Sequence, residues 1–404
     1  MPSRRAVIRN SAVAAAGFSI LPLGLILRSL ASARPSNGPY GQLLPPDPNG
    51  LRIPAGFTSR IVATTGRKVG STAYTWHSWP DGGACFALPG GRHVYVSNSE
   101  IAGGGGGVGA VVFNAVGEIV DAYSICSGTS RNCAGGATPW GTWLSCEEVE
   151  AGLVYECDPS GVEPHVARPA LGQFFHEAAA VDPTSGVVYL TEDKSDGRLY
   201  RFVPDTVGSL ASGRLFAAGI NGSTVSWHPT SSTIPDRSAL THPFNGGEGI
   251  VIRQGFLYFT TKGDKRVWEL DLGTNELAVL HDCVATPGAA LNAVDNLCVA
   301  PFSLDLYVAE DGGNLELCVI ASTPSGLVIS PFLQFVGHDN SEVAGPAFSP
   351  DGSTLYVSSQ RGTDGINGVT VAITGPFRMR VGINESASLG FPSPFAERVS
   401  FTNG

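Results

Sequence analysis

Along this chain, short apolar runs alternate with tight polar turns, and no long stretch repeats with helical spacing. The runs are rich in Val, Ala, Tyr and Thr and are bounded by Gly, Pro, Asp and Ser, the pattern of strands joined by turns. One unit recurs six times: a Gly- or acid-containing entry, an apolar run, a turn, an aromatic-led strand and polar exit residues. The units read "DGGACFALPGGRHVYVSNSE", "CAGGATPWGTWLSCEE", "HEAAAVDPTSGVVYLTED", "GEGIVIRQGFLYFTTK", "VDNLCVAPFSLDLYVAED" and "EVAGPAFSPDGSTLYVSSQ". Aligned on Tyr95, Trp143, Tyr189, Tyr258, Tyr307 and Tyr356, they are separated, by subtraction, by 48, 46, 69, 49 and 49 residues.

A period near 40–50 residues with several short strands per unit predicts a β-propeller. The expected fold is all-β, with six four-stranded blades around a central channel. A single blade cannot bury both faces, and radial stacking buries them between neighbours while hiding most strand edges. The long interval is a Ser/Thr/Pro-rich insertion over residues 203–245. The stretch from Gly50 to His77 is expected to supply a strand that helps close the ring. Phe377 to Val381 is a second candidate closing strand, and the rest reads as tail.

Composition agrees with many short strands. Of 404 residues, 52 are glycine and 28 proline, and only 15 % are charged against 43 % hydrophobic. The formal net charge of −10 argues against a nucleic-acid partner, which needs a basic face.

The first residues carry an address. Ser3-Arg4-Arg5-Ala6-Val7-Ile8-Arg9 is a twin-arginine pattern. An apolar run from Ser11 to Leu27 and a small-x-small site at Ala31-Ser32-Ala33 complete a signal peptide over residues 1–33. The other reading is an uncleaved anchor, but the run is short and interrupted by Gly17, Pro22 and Gly24. Residues 34–404 then form a single propeller domain, periplasmic or secreted, with no membrane association after cleavage and with the twin-arginine export machinery as a partner. That route carries folded proteins, often with a cofactor already inserted, which is a first hint of a metal.

The polar residues fall at set places in the repeat. Ten to fourteen positions before the aromatic stand Asp81, Cys133, Glu177, Glu248, Asp295 and Glu342. Three to five positions after it stand Asn98 and Glu100, Glu147 and Glu148, Glu192 and Asp193, and Glu310 and Asp311. Lys262 and Gln360 break this second pattern in units four and six. If the first strand of each blade lines the channel, the first set forms a ring at one mouth. Such a ring repels itself unless cations neutralise it, which points to carboxylates on hard ions and a thiolate on a transition metal. The bland alternative is that each acid hydrogen-bonds backbone amides at a strand end. Cys133 is one of eight cysteines; read alone it is a ligand, a disulfide partner of nearby Cys126, or a buried thiol. His176, ahead of Glu177, reads equally as a ligand or as a satisfied supporting histidine.

These motifs resemble the PhoX-type alkaline phosphatases and the related exported proteins built on the same domain. The resemblance runs from about Trp79 to Gly362, and "NCAGGATPWGTWLSCEE" and "EVAGPAFSPDGSTLYVSSQ" carry it most specifically. It implies a six-bladed propeller holding ferric and calcium ions (Fe3+ and Ca2+) in the channel. By the same resemblance, Cys133 matches the iron-binding cysteine. Glu147 and Glu148 match the paired glutamates, Glu342 the late-blade glutamate, and Glu248 a channel-facing glutamate. Asp81, Asn98 and Glu100 match the first-blade motif. Glu177 joins the metal ligands from its place in the ring. Cys133, Glu248 and Glu342 are then the candidate catalytic residues. The run "GHDNSEVAG" has no Lys or Arg where the family's phosphatases place a basic residue, and Arg361 in "QRGTDG" is the nearby substitute.

The expected function is hydrolysis of a small phosphate monoester by a monomeric, metal-dependent enzyme. Two alternatives stand beside it. One is a calcium-dependent lactonase or esterase, for which Glu248 and Asp295-Asn296 form a loose ligand set. The other is a non-catalytic metal-binding propeller.

Overall fold

The computed structural model describes residues 34–35, 37–323 and 326–379. The twin-arginine leader and the residues after Met379 lie outside them. Among the described residues every regular element is a strand, apart from two three-residue 3-10 turns at Pro89–Gly91 and Pro169–Leu171. The strands form six sheets in chain order.

Blade one consists of Pro80–Leu88, Arg92–Ser99, Gly106–Phe113 and Ile119–Thr129. Blade two consists of Asn132–Ala137, Trp143–Glu147, Val154–Cys157 and Val166–Ala167. Blade three begins with His176–Val181, Val188–Glu192 and Tyr200–Pro204. Gly213–Asn221 and Thr224–Pro229 complete it as a five-stranded sheet, so two strands occupy much of the Ser/Thr/Pro-rich stretch. Blade four is Gly247–Arg253, Phe256–Thr261, Arg266–Asp271 and Leu277–Asp282. Blade five is Leu297–Val299, Leu306–Ala309, Glu316–Thr323 and Gly326–Phe335. Two further strands border its outer edge, Arg34–Pro35 in parallel and Leu51–Arg52 antiparallel. Blades three and five therefore exceed the expected four strands.

Blade six contains Val343–Phe348, Thr354–Ser359 and Val369–Thr374. Its fourth strand is Thr58–Thr64, paired antiparallel to Val369–Thr374. The last blade is thus completed from the N-terminal side, from within the Gly50–His77 stretch. Phe377 to Met379 form no strand; Arg380 and Val381 lie outside the described residues. That edge is already occupied, and Phe377 packs edge-on against Phe57 and Phe348, with ring centroids 5.0 Å apart in each case, and tilted against Phe332 at 5.6 Å.

The first strands of all six blades contact one another in cyclic order, the last against the first. The hydrophobic core lies between the blades, with a separate buried cluster at each seam. At the seam of blades six and one, Tyr95 and Tyr356 stack with centroids 4.8 Å apart. At the seam of five and six, Tyr307 packs against Phe332 and Phe348. Turn chemistry follows the sequence. Between Arg253 and Phe256, the two-residue loop Gln254-Gly255 has φ of 51° and 81°, the left-handed pair that a tight hairpin requires.

Candidate metal centre

A β-bulge sets up the site. In blade one the ladder slips between Pro80, paired with Ser99, and Gly83, paired with Ser97. The same slip recurs between Asn132 and Gly135, His176 and Ala179, Gly247 and Ile250, and Ala344 and Ala347. A bulge adds a residue and re-aims its side chain. Asp81, Cys133, Glu177 and Glu248 occupy the same place in their bulges. Asp295 corresponds to them in blade five, two residues before Leu297, whose partner is Val308.

In blade six that place belongs to Gly345, which corrects the sequence alignment that put Glu342 there. Gly345 has φ +59°, and a Cβ on it would collide with the backbone oxygen of Asp81. Only glycine closes the ring at this seam. Glu342 instead enters from the loop ahead of the strand and is anchored through its carbonyl, which accepts the Gln360 N–H at 3.1 Å.

The exit acids separate by strand alternation, since neighbouring side chains point to opposite faces. Glu147 ends its strand turned away from the channel and accepts backbone N–H groups of Ser130 at 2.8 Å and Leu153 at 3.1 Å. Glu192 accepts from the Arg198 N–H and the Tyr200 hydroxyl and pairs with Arg237. Glu310 accepts from the N–H groups of Asn292 and Glu316. These three brace loops. Their neighbours Glu148, Asp193 and Asp311, with Glu100, take the channel side.

At this mouth three groups of possible ligand atoms result among the described residues, each with its atoms within 4.8 Å of one another: Cys133, Glu148 and Glu177; Glu177, Glu248 and Asp295; Asp81, Glu100 and Glu342; a fourth, Glu310, Glu316 and Cys318, lies apart from the ring. Glu177 is shared by the first two, and the Cys133 thiol lies 3.5 Å from Asp81 Oδ2, joining the third. The groups are therefore contiguous at one mouth. All eight cysteines, Cys133 among them, are free thiols.

Hydrogen bonds between consecutive blades fix the ring backbone. Asn98 Nδ2 donates to the carbonyls of Cys133 at 3.2 Å and Ala134 at 2.8 Å. Its Oδ1 accepts from Trp143 Nε1 and Ser145 Oγ. Asn98 is thus a brace rather than a free ligand. Thr191 donates to the Glu248 carbonyl and Thr260 to that of Asp295. Gln360 Nε2 closes the circle, donating to Asp81 Oδ2 at 2.6 Å and Glu100 Oε2 at 3.0 Å.

The electrostatics are those of a crowded anion cluster. Burial, reinforced by neighbouring carboxylates, holds the carboxyls of Asp81, Glu177, Glu248 and Asp295 well above their usual range. Glu148 is raised to about 8 and Glu342 to about 7, in both cases chiefly by burial. The Cys133 thiol is pushed up by burial and then by Asp81 and Glu177. Two cationic side chains pair directly with ring acids: Lys262 with Asp193 and Glu248, and Arg361 with Glu342 at 2.8 Å. Glu177 is almost fully buried, and its Oε1 has no hydrogen-bond partner. A buried carboxylate oxygen left in that state is strongly unfavourable, and a cation is the natural partner for it. The thiol and carboxylate donors present at this mouth fit metal ions.

Of the residues singled out from sequence, Asp81, Glu100, Cys133, Glu148, Glu177, Glu248 and Glu342 converge, and Glu147 stands apart. His176 also stays out. Its Nε2 donates to the Gly172 carbonyl at 3.0 Å, its ring lies tilted against Phe174 with centroids 3.7 Å apart, and burial lowers its pKa to about 4. Gln360 and Lys262, which break the acidic pattern of the exit residues in sequence, both reach into the ring.

No curated protein sequence matches the chain. A similar solved structure is Pseudomonas fluorescens PhoX in complex with vanadate, a transition state analogue. Its identity is 18 %, its TM-score 0.67, and the match covers 82 % of this chain and 97 % of that one. A protein of unknown function from Bacteroides thetaiotaomicron matches at 8 % identity and TM-score 0.47, covering 78 % of this chain and 76 % of that one. The family model for alkaline phosphatase PhoX matches residues 109–155, 149–256 and 253–362. That span covers well over half of the 404 residues, and the chain belongs to the alkaline phosphatase PhoX family.

Proposed function

We propose that this protein is an exported, metal-dependent phosphomonoesterase whose centre is the acidic mouth of the propeller channel. The observation that carries the reading is the convergence of Cys133, Glu148 and Glu177 with Asp81, Glu100 and Glu342 in a PhoX-family chain. The Pseudomonas fluorescens relative is described with vanadate as a transition state analogue, and vanadate imitates phosphorus during phosphoryl transfer. Here a sulfur–oxygen set at Cys133, Glu148 and Glu177 suits ferric iron, and the all-carboxylate set at Asp81, Glu100 and Glu342 suits calcium. Bound ions would act as Lewis acids on the phosphate oxygens.

The chain's own residues do the positioning. Gln360 holds the carboxylates of Asp81 and Glu100 in place, and Asn98 fixes the Cys133 backbone. Burial of the ring keeps water away, so fixed charges act at low dielectric. We assign Arg361 to the substrate phosphate. Its guanidinium sits over the Trp79 ring at 5.3 Å and is half-buried, with one N–H on Glu342. The planar fork of an arginine matches a phosphate.

The lactonase reading loses support at Asn296. Its Nδ2 donates to Asp295 Oδ1 and its Oδ1 accepts the Gly345 N–H, so the amide is used in bracing the ring. Export rests on the Arg4-Arg5 leader, and no helix among the described residues is long and apolar enough to cross a membrane. The test is a substrate panel with protein loaded with calcium and iron. Release of phosphate from p-nitrophenyl phosphate, without lactone opening, supports the reading. Lactone opening alone, or no turnover at all, overturns it.

A further inference from the structure

The ring of this chain contains a cation of its own. Lys262 follows Thr261, which pairs with Gly247 as Ser99 pairs with Pro80, Glu147 with Asn132 and Glu192 with His176. Lys262 is therefore blade four's counterpart of Glu100, Glu148 and Asp193. Its Nζ lies 2.6 Å from Asp193 Oδ2 and 2.7 Å from Glu248 Oε1, bridging blades three and four. The stem runs across Gly246, where φ is +68° and a Cβ would stand 2.9 Å from Lys262 Cγ. A side chain at 246 would displace the lysine from this path.

An ammonium at this point carries one positive charge and up to three donors among carboxylates. Glu248 belongs with Glu177 and Asp295 to a group whose oxygens converge closely enough for a metal, and Glu177 Oε1 in that group is buried without a partner. An ion there and the Lys262 ammonium compete for the same Glu248 carboxylate. We propose that Lys262 is a built-in cation that takes the place of one divalent ion, of calcium class. Glu248 and Asp193 then hold the ammonium, and metals are confined to the Cys133 and Asp81 sides of the ring. This inference rests on the metal centre proposed above.

Metal stoichiometry tests it without reference to turnover. Calcium bound per folded chain is measured by equilibrium dialysis, with total metal by plasma mass spectrometry, for wild type, Lys262→Met and Lys262→Arg. The expected result is one more calcium in Lys262→Met than in wild type, and an unchanged number in Lys262→Arg. Adding Asp193→Asn to Lys262→Met should remove the extra ion. An unchanged number in Lys262→Met overturns the inference while leaving the metal centre standing. Wild type that binds no metal removes the centre itself, and the inference with it. Should Lys262→Met be recovered poorly, Lys262→Gln keeps a polar side chain at the mouth and carries the same comparison.

Discussion

Cys133 Sγ lies 3.5 Å from Asp81 Oδ2, across the seam between the first two blades. A thiol and a carboxyl from adjacent bulges thus face one another, with ligand oxygens of Glu148 and Glu177 within 4.8 Å of the sulfur. Replacing Cys133 with Ser should remove iron and leave most of the calcium, because among the described residues Cys133 is the one soft donor at this mouth. The loss in iron affinity is expected to reach at least ~100-fold, since even outer-shell changes at metal sites reach 10–100-fold. Metal content after dialysis checks it, and iron retained at the wild-type level would contradict it.

Glu147 and Glu148 are adjacent but face different worlds. Glu147→Gln weakens two charge-assisted hydrogen bonds to backbone N–H groups, a loss of about 1–3 kcal/mol in stability, while metal content stays unchanged. Glu148→Gln should do the reverse, lowering metal content with little loss of stability in the metal-free state. Urea unfolding and metal analysis of the two variants give this double dissociation; metal loss in Glu147→Gln would refute the assignment.

The metal-free protein should be most stable in mild acid. Burial raises Glu148 from an ordinary 4.5 to about 8 and Glu342 from 4.5 to about 7. A raised folded-state pKa favours the protonated form in the native state. That stability is fully present below about 4.5 and is lost as pH rises through 7 to 8. Calcium should reverse the trend, because ions bind the ionised form. Melting temperature of chelated protein at pH 5 and pH 9, with and without calcium, checks both signs.

Arg361→Ala should raise KM for p-nitrophenyl phosphate by roughly tenfold or more, the scale of a hydrogen bond to a charged group. Arg361→Lys should restore part of it, as a charge without the planar fork. Steady-state kinetics decide this, and an unchanged KM in Arg361→Ala would exclude contact with the substrate phosphate.

The propeller was legible because its unit is large and repeats six times, so errors of one or two residues do not disturb the count. The site was less legible for the same reason. Alignment on the aromatics slips: Tyr95 pairs with Cys85 and Trp143 with Ala137, four residues past their ring positions. Tyr189, Tyr258 and Tyr307 pair three residues past theirs, and Tyr356 two residues past Gly345. In a strand a one-residue slip exchanges the two faces. That is why Glu147 could not be told from Glu148, and why Glu342 was placed where Gly345 stands. The bulges, which supply the true reference, have no signature of their own in these sequences. Lys262 and Gln360 were hidden differently: their role depends on partners in neighbouring blades, Asp193 for the lysine and Asp81 and Glu100 for the glutamine.

The most direct test is phosphate release from p-nitrophenyl phosphate by wild-type protein whose calcium and iron content is measured in the same sample. The expected result is turnover that disappears when chelator strips the metals and returns when they are restored. A fully metallated sample that releases no phosphate would contradict a phosphatase centre at this mouth.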